Sequence, residues 1–248
     1  WGAARRELEQ LEVIDPVSAL IIAALYHASP VTPTAPAEIQ AILDRLAEPG
    51  ALSKAKSPTG IAYQGDGYAP FLRLYLSGLL EAKLGRLEQA LGRAETLEAL
   101  GGDPGDRGLG PGLARSIRAA VAWHAADAAG AYEQIRTAPL GPHYLTATTG
   151  FAGQGYERFL FGESLAALGR RTEAIRWFAT FPEPAASDLI YLAPTHLRRA
   201  RLFDQLGDRA AATRHYARFV ELWLDCDPEL RPLVDEAKAR LAVLERGA

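Results

Sequence analysis

Four stretches of this chain carry the same signature, and that signature constrains the fold more than any other feature of the sequence. A small residue inside an apolar segment is followed by a Gly or Ala, then by an alanine, then by a further apolar residue, at fixed spacing. The sets are Gly78, Gly85, Ala90 and Ala94; Ala119, Ala126, Ala131 and Ile135; Gly162, Gly169, Ala174 and Phe178; and Ala200, Gly207, Ala212 and Tyr216. The second positions lie 41, 43 and 38 residues apart. Each residue type has a packing reason. A small side chain lets one helix approach another closely. A glycine ends a helix in the left-handed conformation without a Cβ penalty. Short polar joints such as Gly169-Arg170-Arg171 and Gly207-Asp208-Arg209 force antiparallel pairs. Helical hairpins repeated along the chain are therefore expected from Phe71 onward.

The stretch from Glu163 to Phe178 (ESLAALGRRTEAIRWF) resembles a tetratricopeptide repeat, and Ala200 to Val220 resembles another. The likeness is looser over Phe71 to Leu100. It is loosest over Leu113 to Thr137, where alanine replaces the turn glycine. The periods exceed the family's repeat of about 34 residues, and no proline closes each unit. The resemblance implies an all-α chain, a right-handed α-α solenoid of TPR-like helical hairpins with a C-terminal capping helix. About four hairpins would occupy 69–225 and the cap 226–248. The last two hairpins also resemble the arrays found in bacterial multidomain signalling and regulatory proteins.

Residues 1–68 read as N-terminal helices plus a Gly/Pro-rich loop, with a degenerate leading hairpin as one reading. Helices are expected over Ala3–Val13, Pro16–Ala28 and Ala37–Ala47, and loops over Pro49–Ala69 and Gly101–Gly112. At the end, Asp227 and Pro228 form an N-cap and first-turn pair. The helix behind them puts Leu230, Leu233, Val234, Ala237, Leu241 and Leu244 on one face.

Composition excludes more than it proposes. With 48% hydrophobic and 23% charged residues the chain falls in the folded class. A net charge of −3 gives no reason to expect nucleic acid. The one cysteine, Cys226, forbids an internal disulfide or a cysteine-based zinc cage. The longest apolar run, Val17 to Tyr26, falls well short of the roughly 20 residues a membrane span needs. Methionine is absent even at position 1, where Trp1 stands. That predicts an excised segment, a processed mature chain or a chain whose start is missing. A cytoplasmic location is slightly favoured, with an exported mature chain as the alternative.

The sequence carries no nucleotide, metal or nucleophile motif, so no catalytic, cofactor-binding or metal-ligating residue is assigned and no cofactor is expected. The Gly-rich runs near Gly101 and Gly150 lack strand-to-helix context. The five histidines do not pair at helical spacing. Cys226 and His215 lack a third orienting group. The arginines at Arg170/Arg171 and Arg198/Arg199/Arg201 have acids close by and read as solvated helix faces.

The family resemblance places the first helix of each hairpin on the inner wall of the array. Carried over residue by residue, that wall comprises Leu72, Tyr75 and Leu79; Ser116, Ala120 and Trp123; Tyr156, Phe159 and Glu163; and Leu197, Arg201 and Asp204. Tyr75, Trp123, Tyr156, Phe159, Glu163, Arg201 and Asp204 are the candidate partner-binding residues, because aromatics and arginine anchor interfaces. Packing against the neighbouring hairpin is the competing role for the aromatics. The expected function is a non-catalytic protein–protein interaction scaffold whose concave groove takes a protein or peptide. The alternative is a self-assembling structural subunit, a homo-oligomer or filament of head-to-tail arrays, driven by the apolar segment Pro16–Ala28 if it stays uncovered.

Overall fold

The structure, a computed structural model, describes residues 2–58, 66–100, 109–137, 154–181, 183 and 188–246. Among these the chain is all-helical, with twelve α-helices and no strand. They are α1 (Gly2–Ile14), α2 (Pro16–Ala28), α3 (Pro36–Ala47), α4 (Ala69–Lys83), α5 (Leu87–Ala99) and α6 (Leu109–His124), followed by α7 (Ala128–Arg136), α8 (Gly155–Ala167), α9 (Arg171–Phe178), α10 (Leu189–Gln205), α11 (Arg209–Leu222) and α12 (Arg231–Arg246). The three expected N-terminal helices are present with ends shifted by a residue or less.

The repeated signature folds into one repeated joint. Gly85, Ala126, Gly169 and Gly207 all take positive φ, at 76°, 61°, 75° and 77°. At each, the next residue reaches back to a carbonyl five positions earlier: Arg86 to Glu81, Asp127 to Ala122, Arg170 to Leu165 and Asp208 to Phe203, at 2.8–3.0 Å. This closes the last helical turn and at once places the N-cap of the next helix. Asp127 and Asp208 complete the joint by accepting from the amides of Gly130 and Ala211. The alanines at 90, 131, 174 and 212 are fully buried in the helix that follows.

Ala126 makes this turn at a cost glycine avoids. A left-handed L-residue is strained by about 1–2 kcal/mol, and glycine gives part of that back through its freer unfolded chain. Ala126→Gly should raise the unfolding free energy by about 1 kcal/mol, and Gly207→Ala should lower it by a similar amount. Urea unfolding of the two variants checks the pair, and a destabilised Ala126→Gly would contradict the account of the joint.

The small residues ahead of each joint sit at close approaches. A Cβ on Gly162 would come within 2.6 Å of the Phe178 ring on α9, the partner helix of the same hairpin. One on Gly78 would come within 2.5 Å of Ile117 on α6, so this glycine serves the contact between successive hairpins. Each of α4, α6, α8 and α10 packs on the helix after it, and α4, α6 and α8 pack also on the next of the set. A second contact also recurs. Arg115 of α6 donates to the Thr137 carbonyl and Arg158 of α8 to that of Thr180, at 2.5 and 2.6 Å.

The N-terminal helices join this order. α2 packs on α3 and α4, and α3 on α4. Their buried Val17, Ile21, Ile39 and Leu46 belong to the same apolar cluster as Leu76, Leu80, Leu97 and Ile117. Asp15 caps α2 by accepting from the Ser18 amide and both Ser18 and Ser57 hydroxyls, which pins the segment after α3 to the start of α2.

Two boundaries differ from expectation. The loop expected over Gly101–Gly112 ends earlier, since α6 already begins at Leu109. Pro111 is tolerated in a first turn, and Gly110 is needed because a Cβ there would lie 2.4 Å from the Leu97 carbonyl oxygen. Residues 101–108 fall outside the described set. The terminal helix begins at Arg231 after a 3-10 turn, Pro228–Leu230. It buries Leu230, Val234, Ala237 and Leu244 as the apolar face requires. Asp227 accepts from the Gly2 amide at 2.8 Å, so the start of α1 meets the turn that leads into α12.

Candidate functional site

The residues expected on an inner wall divide into a buried set and a part-exposed set. Tyr75 of α4 and Tyr156 and Phe159 of α8 are 1%, 6% and 1% exposed, so an outside partner does not reach them in this conformation. They are corrected here from groove to core. Two features bury this set. The middle helix α6 carries the small Ser116 and Ala120, and past it the Tyr75 hydroxyl of α4 donates to Glu157 Oε1 of α8 at 2.6 Å. Burial and the adjacent carboxylate push the Tyr75 phenol well above its ordinary pKa.

The segment after α2 then covers the same side. Val31 packs on the aromatic cluster of Phe159, Phe178, Phe181 and Tyr191. Tyr191 bonds Ser29. Lys83 donates to the carbonyls of Ser29 and Thr32 at 2.7 and 2.9 Å, replacing partners the end of α2 has lost. Burial lowers the Lys83 ammonium to about 8.

The part-exposed set lies toward the C-terminus. Trp123, Glu163, Arg201 and Asp204 are half-buried. The last three take part in a ladder of ion pairs that ties successive first helices together. Glu163 meets Arg198 at 2.5 Å, Arg201 meets Glu236 at 2.7 Å, and Asp204 meets Arg240 at 2.6 Å. The hydrogen bond from Arg240 holds the Asp204 carboxyl below its ordinary range. The pairs from α10 to α12 span 35 and 36 residues, somewhat less than the 38–43 residues between successive joints.

One cluster was not legible from spacing. His196 of α10 and His215 of α11 stand 19 residues apart, yet their Nδ1 atoms are 2.9 Å from each other. Phe203 stacks parallel on the His215 ring at 5.5 Å. Only the antiparallel turn of the hairpin brings them together, and a search at helical spacing passes over such a pair. Burial first, and the Arg199 charge second, lower both imidazoles to about 4.

That has a consequence for stability. Between the unfolded midpoint of about 6.5 and the folded value of about 4, the unfolded chain binds protons here that the folded chain does not. Stability contributed by the pair is therefore present above the upper limit and lost as pH falls through the window. Urea midpoints should drop from pH 7 to pH 4.5, and the drop should be smaller in a His196→Asn, His215→Asn double variant. Equal drops in the two proteins would exclude the pair as a source of acid sensitivity.

Among the described residues no three His, Cys, Asp or Glu side chains converge as a metal site would require, and no described helix is long and apolar enough to cross a membrane. Comparison with family models, with curated proteins and with solved structures found no match for this chain.

Proposed function

We propose that this chain is a non-catalytic interaction scaffold, a right-handed α-α solenoid of TPR-like hairpins that holds a protein or peptide on the open, C-terminal part of its inner face. The observation that carries the reading is the ladder formed by Glu163, Arg198, Arg201, Glu236, Asp204 and Arg240. It is half-exposed, of both signs, and its pairs run from α8 to α10 and from α10 to α12 at separations of 35 or 36 residues. Exposed ion pairs contribute little to stability, about 0–1 kcal/mol each, so a run of them fits recognition better than folding. Their alternating charge would select a partner by complementarity and set its register. The four repeated joints supply the rigid frame, and Trp123 the half-buried aromatic at its edge.

The test pairs wild-type protein with an Arg201→Glu, Asp204→Arg variant, which inverts two rungs of the ladder. A partner cross-linked through α10 in the wild type should be lost from the variant while its melting temperature stays within a few degrees. A partner retained by the variant, or cross-linked only elsewhere, would overturn this placement. The self-assembly reading loses its main support, because the face of α2 that would drive it is covered: Val17, Leu20, Ile21 and Ala24 are at most 3% exposed.

A further inference from the structure

Arginine in a protein interior normally meets a carboxylate or a full set of acceptors, because an uncompensated buried charge is costly. Arg199 does neither among the described residues. It is half-buried, its Nε is enclosed without a hydrogen-bond partner, and no ion pair to it is formed. It sits one turn beyond His196 on α10, where residues three apart are neighbours, and its charge acts on both imidazoles of the pair. The other charges facing the pair do not offset it. Arg218 of α11 is already held by Glu183 and Glu221, each at 2.7 Å. Arg214 of α11 adds positive potential at His215, and Glu183, behind α9, is the one carboxylate acting on His196.

The paired imidazoles and the Arg199 charge one turn along α10 thus give this seam a surplus of positive charge, and both histidines are half-exposed. With Nδ1 facing Nδ1, one ring donates and the other accepts, so the Nε2 atoms are left for other partners. The same guanidinium opposes a divalent cation on the imidazoles. An anion meets no such barrier.

We propose that Arg199, His196 and His215 form a binding site for a small oxyanion, a carboxylate or phosphate group, in the seam between α10 and α11. The guanidinium supplies the charge-assisted hydrogen bonds that planar and tetrahedral oxyanions accept. A bound anion would stabilise the imidazolium form, so anion and proton uptake are linked in both directions. The site is separate from the ion-pair ladder, and the proposal does not depend on the scaffold reading.

The test is a histidine-ring NMR titration of the whole chain across acidic pH, with inorganic phosphate or acetate added at constant ionic strength and sodium chloride as the reference. Either probe should raise the His196 and His215 midpoints saturably by about one pH unit, a coupling of about tenfold. The probe that saturates at the lower concentration identifies the class of oxyanion. In Arg199→Gln the rise should vanish. Midpoints unmoved by both probes, or moved equally by chloride, would overturn the site even if the variant fails to fold.

Discussion

Phe159→Ala should cost about 3–5 kcal/mol of unfolding free energy, the range for removing a buried phenyl ring from a core that cannot collapse around the gap. Phe159 is 1% exposed and stands at the centre of four rings. Its centroid lies 5.2 Å from Tyr191, 5.5 Å from Phe178 and 6.4 Å from Phe181. These come from α8, from α9 and its following turn, and from α10, so one side chain joins two successive hairpins. Tilted and edge-on ring pairs at such distances add about 0.5–1.5 kcal/mol beyond area burial. The surroundings resist relaxation because α8 already lies so close to the Phe178 ring at Gly162 that a Cβ there would come within 2.6 Å of it. Urea unfolding followed by circular dichroism measures the loss. A cost below about 1.5 kcal/mol, the value of a tolerated volume-conserving change, would mean that Phe159 lines an accessible groove after all.

The same position shows how far the sequence could be read. The hairpin joints were legible because they depend on local rules: a left-handed residue, a short polar link, an alanine facing it. Even Ala126, which departs from glycine, keeps the backbone its neighbours dictate. The start of α6 was hidden because Gly110 and Pro111 read as a loop, while the glycine answers a contact with the Leu97 carbonyl that no local pattern announces.

Solvent access was harder still. An inner-wall aromatic and a core aromatic have the same spacing, and what separates them here is burial by contacts between helices far apart in sequence, such as Tyr75 with Glu157. The histidine pair was invisible for a related reason. Its members occupy different helices, and their register follows from where the joint at Gly207 turns the chain. The ladder residues Glu163, Arg201 and Asp204 are named by the family resemblance, but their partners Arg198, Glu236 and Arg240 are not, because each lies 35 or 36 residues away on another helix.

Tyr75→Phe should remove about 1–3 kcal/mol, because it withdraws the hydroxyl that donates to a buried carboxyl at 2.6 Å. Glu157 is 7% exposed, and water cannot readily replace the donor it loses. The bond has structural weight beyond its own energy, since it joins α4 to α8 across α6 and spans 82 residues of sequence. Because the two partners act as a unit, the singles and the double should not add. Glu157→Leu alone leaves the Tyr75 hydroxyl without this acceptor, whereas Tyr75→Phe with Glu157→Leu removes donor and acceptor together. An apolar replacement of both partners can approach neutrality. The double variant should therefore lose less than the sum of the singles by clearly more than the roughly 0.3–0.5 kcal/mol within which independent sites add. Additive losses in the urea midpoints would mean that the bond does not join the first hairpin to the third. The buried set of wall residues would then owe its burial to Val31 and its aromatic neighbours alone.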